Sequence, residues 1–413
     1  MKTKMKLRSF ALTSIALVLL ILVSSVASAS ISETRITTNP SNSENPVIYG
    51  NTIVWQDDRN GNWDVYIQDL STKKQSHTTN LSYQINPAIY GNKVVWEDYR
   101  NGKFYNPDIY MQDLATNKQT RITTSGTACK PSIYSNKIVW SNSAYNDYES
   151  WYELYMYDLS TKEVTKIPTI ISANVPTIYG NRIVWSDHDS FNGGDFKICM
   201  YDLSTNKQTQ IAKGDFSSGI VDRPDIYDNK IVYDSDRNNN WDIYMYDLST
   251  KKETRITTNE SIQQAPKIYG NTVVWHDYRN GNWDIYAYDL KTHQQIHTTD
   301  KSDQVAPAID GNKVVWTDYR NGKTDIYMGT ISYLPVAAFT ASPTSGKAPL
   351  TVKFTDQSKD AYNYNWDFGD KTISTLQSTS HKYTKAGKYT VTLTVRNAAG
   401  KNTVKKTNYI TVK

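Results

Sequence analysis

The chain repeats itself. A proline, followed with variation by Ile-Tyr-Gly-Asn and a short strand, recurs at Pro46, Pro87, Pro131, Pro176, Pro224, Pro266 and Pro307, with gaps of 41, 44, 45, 48, 42 and 41 residues. The strand after each proline ends in an aromatic residue: Trp55, Trp96, Trp140, Trp185, Tyr233, Trp275 and Trp316. Self-similarity at a fixed period means that each unit is one small element that buries its faces only against its neighbours.

Within a unit the runs are β-branched and aromatic. Ile53-Val54-Trp55 and Val65-Tyr66-Ile67 flank Arg59-Asn60-Gly61-Asn62, whose Asn-Gly dipeptide favours a tight hairpin turn. Gly50-Asn51 makes another turn upstream, and Asp247 to Lys251 leads into a fourth strand at Arg255-Ile256-Thr257-Thr258. Four antiparallel strands per unit are the content of one propeller blade. Both faces of Ile243-Tyr244-Met245-Tyr246 carry large groups, so each sheet requires cover on both sides. The 31 tyrosines and 11 tryptophans supply the broad, stiff side chains for such packing. The expected fold is all-β, with a seven-bladed β-propeller over residues 30–333.

The seventh unit, Asp325-Ile326-Tyr327-Met328, runs into Gly329-Thr330 with no fourth-strand segment behind it. The missing piece stands near the other end of the chain, as Thr34-Arg35-Ile36-Thr37-Thr38. This N-terminal strand is expected to complete the last blade and remove an exposed sheet edge.

The pattern Pro-x-Ile-Tyr-Gly-Asn-x-Ile-Val-Trp, then Asp-x-Arg-Asn-Gly-Asn-Trp-Asp-Ile-Tyr, then Tyr-Asp-Leu-x-Thr resembles the TolB-type propeller repeat, in the variant abundant in surface-layer proteins of methanogenic archaea. The resemblance implies an extracellular location and a role in surface structure, adhesion or protein contact. Units three and four depart from the pattern. Glu153 replaces the usual Asp and Ser143 to Trp151 lengthens the hairpin of unit three; unit four has Phe191-Asn192-Gly193-Gly194 in its turn, Lys197 in place of Asp and Cys199 in place of Tyr. Loops that deviate from a regular scaffold are where binding often resides, although surface insertions also drift at little cost in stability.

Beyond Leu334 the repeats cease. Pro349 to Phe354, Tyr364-Asn365-Trp366-Asp367-Phe368-Gly369-Asp370 and Gly387 to Val395 are strands of another kind. The Trp-Asp-Phe-Gly-Asp core resembles that of the PKD domain, an immunoglobulin-like β-sandwich, over residues 334–413. Alternation in the last of these strands agrees: Tyr389, Val391, Leu393 and Val395 face one way, Thr390, Thr392, Thr394 and Arg396 the other. The resemblance implies a spacer or a contact module for protein or polysaccharide.

Residues 1–29 read as a signal peptide: Lys2, Lys4, Lys6 and Arg8, an apolar stretch from Phe10 to Val23, and Ala27-Ser28-Ala29 for cleavage. The apolar stretch is short for a membrane span, so no transmembrane segment is expected after cleavage. Charge divides the rest. Residues 334–413 carry +8, with 12 Lys and Arg against 4 Asp, whereas residues 30–333 carry −7. An acidic propeller argues against nucleic acid as a partner. The two cysteines, Cys129 and Cys199, are too few for a disulfide framework and read as buried thiols.

The search for chemistry starts from six histidines, His77, His188, His276, His293, His297 and His381, no pair of which has zinc-motif spacing. Asp57, Asp98, Asp187, Asp277 and Asp318 recur two residues after the aromatic, and Asp64, Asp108, Asp242, Asp284 and Asp325 recur before the third strand. A catalytic pair has no need to be copied round a ring, so these carboxylates read as structural, accepting backbone N–H groups or pairing with Arg59, Arg100, Arg237, Arg279 and Arg320. The slot directly after the aromatic varies among Gln56, Glu97, Ser141, Ser186, Asp234, His276 and Thr317, and reads as a solvated strand end. Asp58 to Asp64 spaces oxygens like a calcium loop, and Asp367 and Asp370 are acidic too, but neither supports a metal site. Asn80-Leu81-Ser82 and Asn259-Glu260-Ser261 fit the glycosylation pattern.

With no catalytic, metal or cofactor residues assigned, the expectation is a secreted, non-catalytic surface protein that contacts cell-surface proteins or envelope polysaccharide. The alternative is a polysaccharide lyase or hydrolase, which requires a non-repeated cluster of His, Arg and carboxylates at one end of the ring. The sequence offers only His188 and Asp189 for it.

Overall fold

The computed structural model describes residues 29–101, 107–145, 150–169, 172–188, 196–214 and 221–413. Among them there is no helix, and the strands form seven four-stranded sheets followed by a sheet of three and a sheet of five. The first sheet runs Ser43–Tyr49, Thr52–Asp57, Asp64–Asp69, Gln75–His77, each strand antiparallel to the next, and the other repeats follow it. The inner strand of each sheet packs on that of its neighbour, and the inner strand Gln304–Asp310 of the seventh packs back on Ser43–Tyr49. This is a propeller-like arrangement.

The repeated proline sits on the inner strand, at the edge of its sheet, where the loss of an N–H donor costs no ladder bond. Each inner strand also bulges there: the register of the first shifts between Glu44 and Val47, and that of the fifth between Asp222 and Asp225. The residue before the proline takes a left-handed backbone in every copy, with φ of 51° at Asn45, 47° at Val175 and 48° at Arg223. For the β-branched Val175 that conformation is strained.

Trp55, Trp96, Trp185, Trp275 and Trp316 are fully buried between sheets. At one end of the central channel Tyr49, Tyr90, Tyr134, Tyr179, Tyr227 and Tyr269 form a belt with ring centroids 4.6–4.8 Å apart, and Asp310 takes the seventh position. The channel encloses about 590 Å³.

The N-terminal strand Ser30–Arg35 pairs antiparallel with Asp325–Ser332 and becomes the fourth strand of the seventh sheet. It begins four residues before the expected segment, because Ser30 to Glu33 also pair, with Ser332 to Gly329. Thr37 then donates its hydroxyl to Asp325 Oδ1 at 3.0 Å. In the third sheet the expected long hairpin forms, with Lys137–Tyr145 paired to Ser150–Asp158, and Glu153 holds Lys166 at 2.8 Å.

The C-terminal unit stacks the sheet of Phe339–Ser342, Leu350–Asp356 and Thr379–Tyr383 on a sheet centred on Gly387–Asn397 and Gly400–Val412. Its core is Phe339, Phe354, Trp366, Phe368, Tyr383, Val391, Leu393 and Val395, so the alternating face lies inward as the pattern requires. The unit touches the propeller on the turn between the third and fourth strands of the sixth sheet. There Gln294 Nε2 donates to Leu334 O at 2.7 Å, and Lys291 lies 3.7 Å from Asp360. That turn is at the tyrosine-belt end of the ring. Among the described residues no helix is long and apolar enough to cross a membrane.

Candidate functional site

The hairpins between the second and third strands converge at the opposite end of the ring, and most of their charges are held in clamps. In the first sheet Asp57 accepts from Trp55 Nε1 at 3.0 Å, from Ser43 Oγ at 2.7 Å, and from Arg59 Nε and Nη2 at 2.7 and 2.6 Å. The Arg59 guanidinium lies 4.0 Å over the Tyr66 ring. Asp98 with Arg100, Asp277 with Arg279 and Asp318 with Arg320 repeat the bidentate pair. Burial pushes Asp57 up, but Arg59, Trp55 and Ser43 outweigh it and leave the carboxyl below its usual value.

Arg237 departs from this pattern: Ser235 stands where the clamp carboxylate should be, and Arg237 pairs with Glu253 at 3.1 Å. The second carboxylate series also finds partners other than those expected. Asp108 holds Arg121 and Asp242 holds Arg255, each at 2.6 Å, while Asp64 accepts from Asn60 at 2.8 Å. Asn60 and Asn62 both donate to Asp64, and Asp58 accepts from the backbone N–H and side chain of Asn42, so the oxygens from Asp58 to Asp64 serve protein donors. Asp367 likewise accepts from the Gly369 N–H, and Asp370 faces His381 Nε2 at 2.7 Å. Among the described residues no three His, Cys, Asp or Glu side chains converge in a way that could hold a metal. Cys129 and Cys199 are free; burial pushes their thiols up to about 12 and about 11, and Cys129 is only half-buried.

The variable slot after the aromatic is not a solvated strand end. Gln56, Glu97, Ser141, Ser186, Asp234 and Thr317 are all buried. The proline bulge of the next sheet turns its left-handed residue's N–H toward this slot. Glu97 Oε1 accepts from Lys130 N at 2.7 Å, Asp234 Oδ2 from Ala265 N at 2.9 Å, and Thr317 Oγ1 from Asn45 N at 3.1 Å. Glu97, Asp234 and Thr317 thereby each tie one sheet to its neighbour.

Between the fourth, fifth and sixth sheets the repetition breaks down and a single cluster forms. His188 Nε2 lies 3.5 Å from Asp222 Oδ1, a charge contact outside hydrogen-bond geometry. Asp222 sits across the hairpin from Asp234, and Arg223 Nη1 reaches Asp234 Oδ2 at 2.9 Å. The Arg223 guanidinium lies 5.6 Å over Trp241, and the His276 ring packs edge-on to Trp283 at 4.6 Å. Burial pushes the Asp234 carboxyl up to about 7, helped by the Asp222 charge and opposed by Arg223 and the Ala265 N–H. Burial and the Arg223 charge drive His276 down to about 3, so its ring is neutral at physiological pH. Burial also raises Asp222, but His188 and the Arg223 N–H reverse the effect and leave it below its ordinary value.

His188 Nε2, Asp222 Oδ1, Asp234 Oδ1 and His276 Nδ1 have no hydrogen-bond partner among the described residues. Buried polar atoms in that state are available to a ligand or to water. The sequence had singled out His188; Asp189 lies outside the described residues. Asp222 and Arg223 were missed. Their only sequence signal is that a charged pair precedes Pro224 where other repeats place Glu44-Asn45 or Gln264-Ala265.

Residues 334–412 match the family model of the PKD domain. No curated protein matches the chain. Among solved structures, the β-propeller domain of the Trilobed protease from Pyrococcus furiosus is 14% identical, covers 71% of this chain and 94% of its own, and has a TM-score of 0.56. The chain is a β-propeller joined to a PKD domain. That neighbour is described as having an open velcro topology, whereas here Ser30–Arg35 pairs into the last sheet of the propeller. An oligogalacturonate lyase in complex with manganese is 15% identical, with 74% of this chain and 95% of that one covered at a TM-score of 0.53. Pyrococcus horikoshii acylaminoacyl peptidase is 10% identical over 76% of this chain and 57% of its own, at a TM-score of 0.55.

At these identities the likeness is one of fold. It nevertheless overturns the expectation that the chain is not an enzyme, because the propellers it resembles belong to enzymes, a lyase and peptidases among them. Repetition marks only the recurrent carboxylates as structural. His188, Asp222, Arg223, Asp234 and His276 do not recur as a set, so it does not extend to them.

Proposed function

We propose that this protein is a secreted enzyme that cleaves an acidic polysaccharide, by elimination or hydrolysis, on the end of a closed seven-bladed propeller that carries His188, Asp222 and Arg223. The observation that carries this reading is the His188–Asp222 pair, 3.5 Å apart and next to the Arg223–Asp234 pair, in a ring where most hairpin charges belong to the repeated clamps. The oligogalacturonate lyase likeness in fold supports it. Among the described residues no set of side chains could hold a metal such as the manganese of that neighbour.

Each group has a role that its surroundings favour. The Arg223 guanidinium, about two-fifths exposed, binds the substrate carboxylate. His188, whose Nε2 stands 3.5 Å from the Asp222 carboxylate, presents its other ring nitrogen as the base. In an elimination that base takes the proton α to the carboxylate, the glycosidic C–O bond breaks, a C=C bond forms, and the leaving oxygen is reprotonated. In a hydrolysis water adds instead.

The PKD domain, with its +8 charge, docks on anionic envelope polymer or spaces the propeller from it. Placement with the surface proteins of methanogenic archaea rests on the repeat resemblance. The test is incubation of the purified chain with uronic-acid polymers. Elimination gives ultraviolet-absorbing unsaturated ends, whereas hydrolysis gives reducing ends without them. Turnover lost in His188→Ala supports the assignment; no turnover on any such polymer removes it.

A further inference from the structure

The site-bearing end of the ring leaves aromatic side chains in solvent that its packing does not need. Tyr83, Tyr278 and Tyr319 are 55%, 43% and 45% exposed, on a face where every clamp aromatic is buried. Tyr278 and Tyr319 share their repeat position with the half-buried Tyr99, whereas Tyr83 stands where other sheets have Ile262 and Asp303. The backbone N–H of Tyr99, Tyr278 and Tyr319 donates to the carbonyl of Tyr83, Ile262 and Asp303, the residue just before the inner strand of the same sheet. Tyr83 meets Tyr99 edge-on at 6.5 Å, and Tyr278 leans on Trp283 at 5.2 Å. Trp283 in turn packs on His276, and Trp241 lies under Arg223. The aromatics thus continue outward from the cluster over the fifth, sixth and seventh sheets, and Tyr83 and Tyr99 stand on the second, beyond the first sheet, which has Asp58 in the position of Tyr278 and Tyr319. The fourth sheet has His188, and the fifth Asp236, where Tyr99, Tyr278 and Tyr319 stand in theirs.

We propose that this arc is a binding track for a polysaccharide chain, separate from the cleavage cluster and continuous with it. Flat, half-exposed rings interrupted by polar groups suit an occupant whose units have apolar C–H faces and hydroxylated edges, as pyranose rings do. Arg223, about two-fifths exposed at one end of the track, selects the acidic class; Arg279 and Arg320 along it are already paired with Asp277 and Asp318. The inference rests on the reading of the site as acting on polysaccharide and deepens it: the enzyme holds a long chain across several sheets rather than a short fragment at the cluster alone. The PKD domain touches the propeller at the other end, which leaves the track open.

The test measures binding rather than turnover, by calorimetry with long polygalacturonate and with its trimer, on the full chain. Tyr83→Ala/Tyr278→Ala/Tyr319→Ala should weaken the long polymer by roughly tenfold or more, with the trimer and the melting temperature unchanged. Replacing the same three tyrosines by Trp should keep the affinity. Equal affinity of the triple alanine variant and the parent for the long polymer overturns the track, as does an equal loss for polymer and trimer, or failure of the parent to bind long polymer at all. Intact track binding in a chain that cleaves nothing sinks the enzymatic reading alone.

Discussion

Arg223 Nη1 donates to Asp234 Oδ2 at 2.9 Å, and both residues belong to one hairpin of the fifth sheet. The pair sets an arginine beside a carboxylate that burial holds partly protonated near neutral pH.

Asp234 therefore makes stability fall as pH rises. Its folded-state value of about 7 lies above the ordinary carboxylate value, so the folded state holds a proton that the unfolded chain releases, and the resulting stabilisation disappears between about pH 4 and pH 7. Asp234→Asn still offers an acceptor to the Ala265 N–H. It should flatten this part of the stability profile, by on the order of 1–4 kcal/mol across the window, in melting measured from pH 4 to pH 8.

His276 acts in the opposite sense. Held down to about 3, it stays neutral in the folded chain while the unfolded chain takes up a proton, so stability present above about pH 6.5 is lost as the pH falls toward 3. Gln occupies this slot in the first sheet, as Gln56, and His276→Gln should retain more of its neutral-pH melting temperature at pH 4.5 than the parent chain.

The clamp carboxylates are costly to remove. Asp57→Ala leaves the Arg59 guanidinium, Trp55 Nε1 and Ser43 Oγ without their shared acceptor. The expected loss is about 3–5 kcal/mol, read as a shift in the denaturant midpoint of the propeller transition.

The closing strand can be tested through one glycine. A Cβ on Gly329 would stand 2.3 Å from Ile31 Cγ2 and 3.0 Å from Trp316. Gly329→Ala should cost roughly 1–3 kcal/mol by pushing the N-terminal strand off the last sheet. Ile31→Ala in the same chain should recover part of that loss, a non-additivity that a double-mutant cycle on the melting curve would reveal.

Much of the fold was legible in the residues. The proline and aromatic spacing marked each sheet, the missing fourth strand after Met328 pointed to the N-terminal segment, and Val391, Leu393 and Val395 lie inward as their alternation required. The slot from Gln56 to Thr317 was misread because its acceptors serve N–H groups on the next sheet, exposed by a left-handed residue that no single repeat reveals. The cluster was hidden for a related reason. His188 and Asp222 are separated in the chain and meet only where the fourth sheet packs on the fifth.

The sequence by itself determined the repeating unit, its turns and its aromatic cores, because these depend on local periodicity and on groups that must be buried wherever the sheet goes. Tertiary structure alone decided which polar side chains share a low-dielectric space. Their charges and protonation depend on neighbours supplied by adjacent sheets, as Asp234 does on Arg223, Asp222 and the Ala265 N–H.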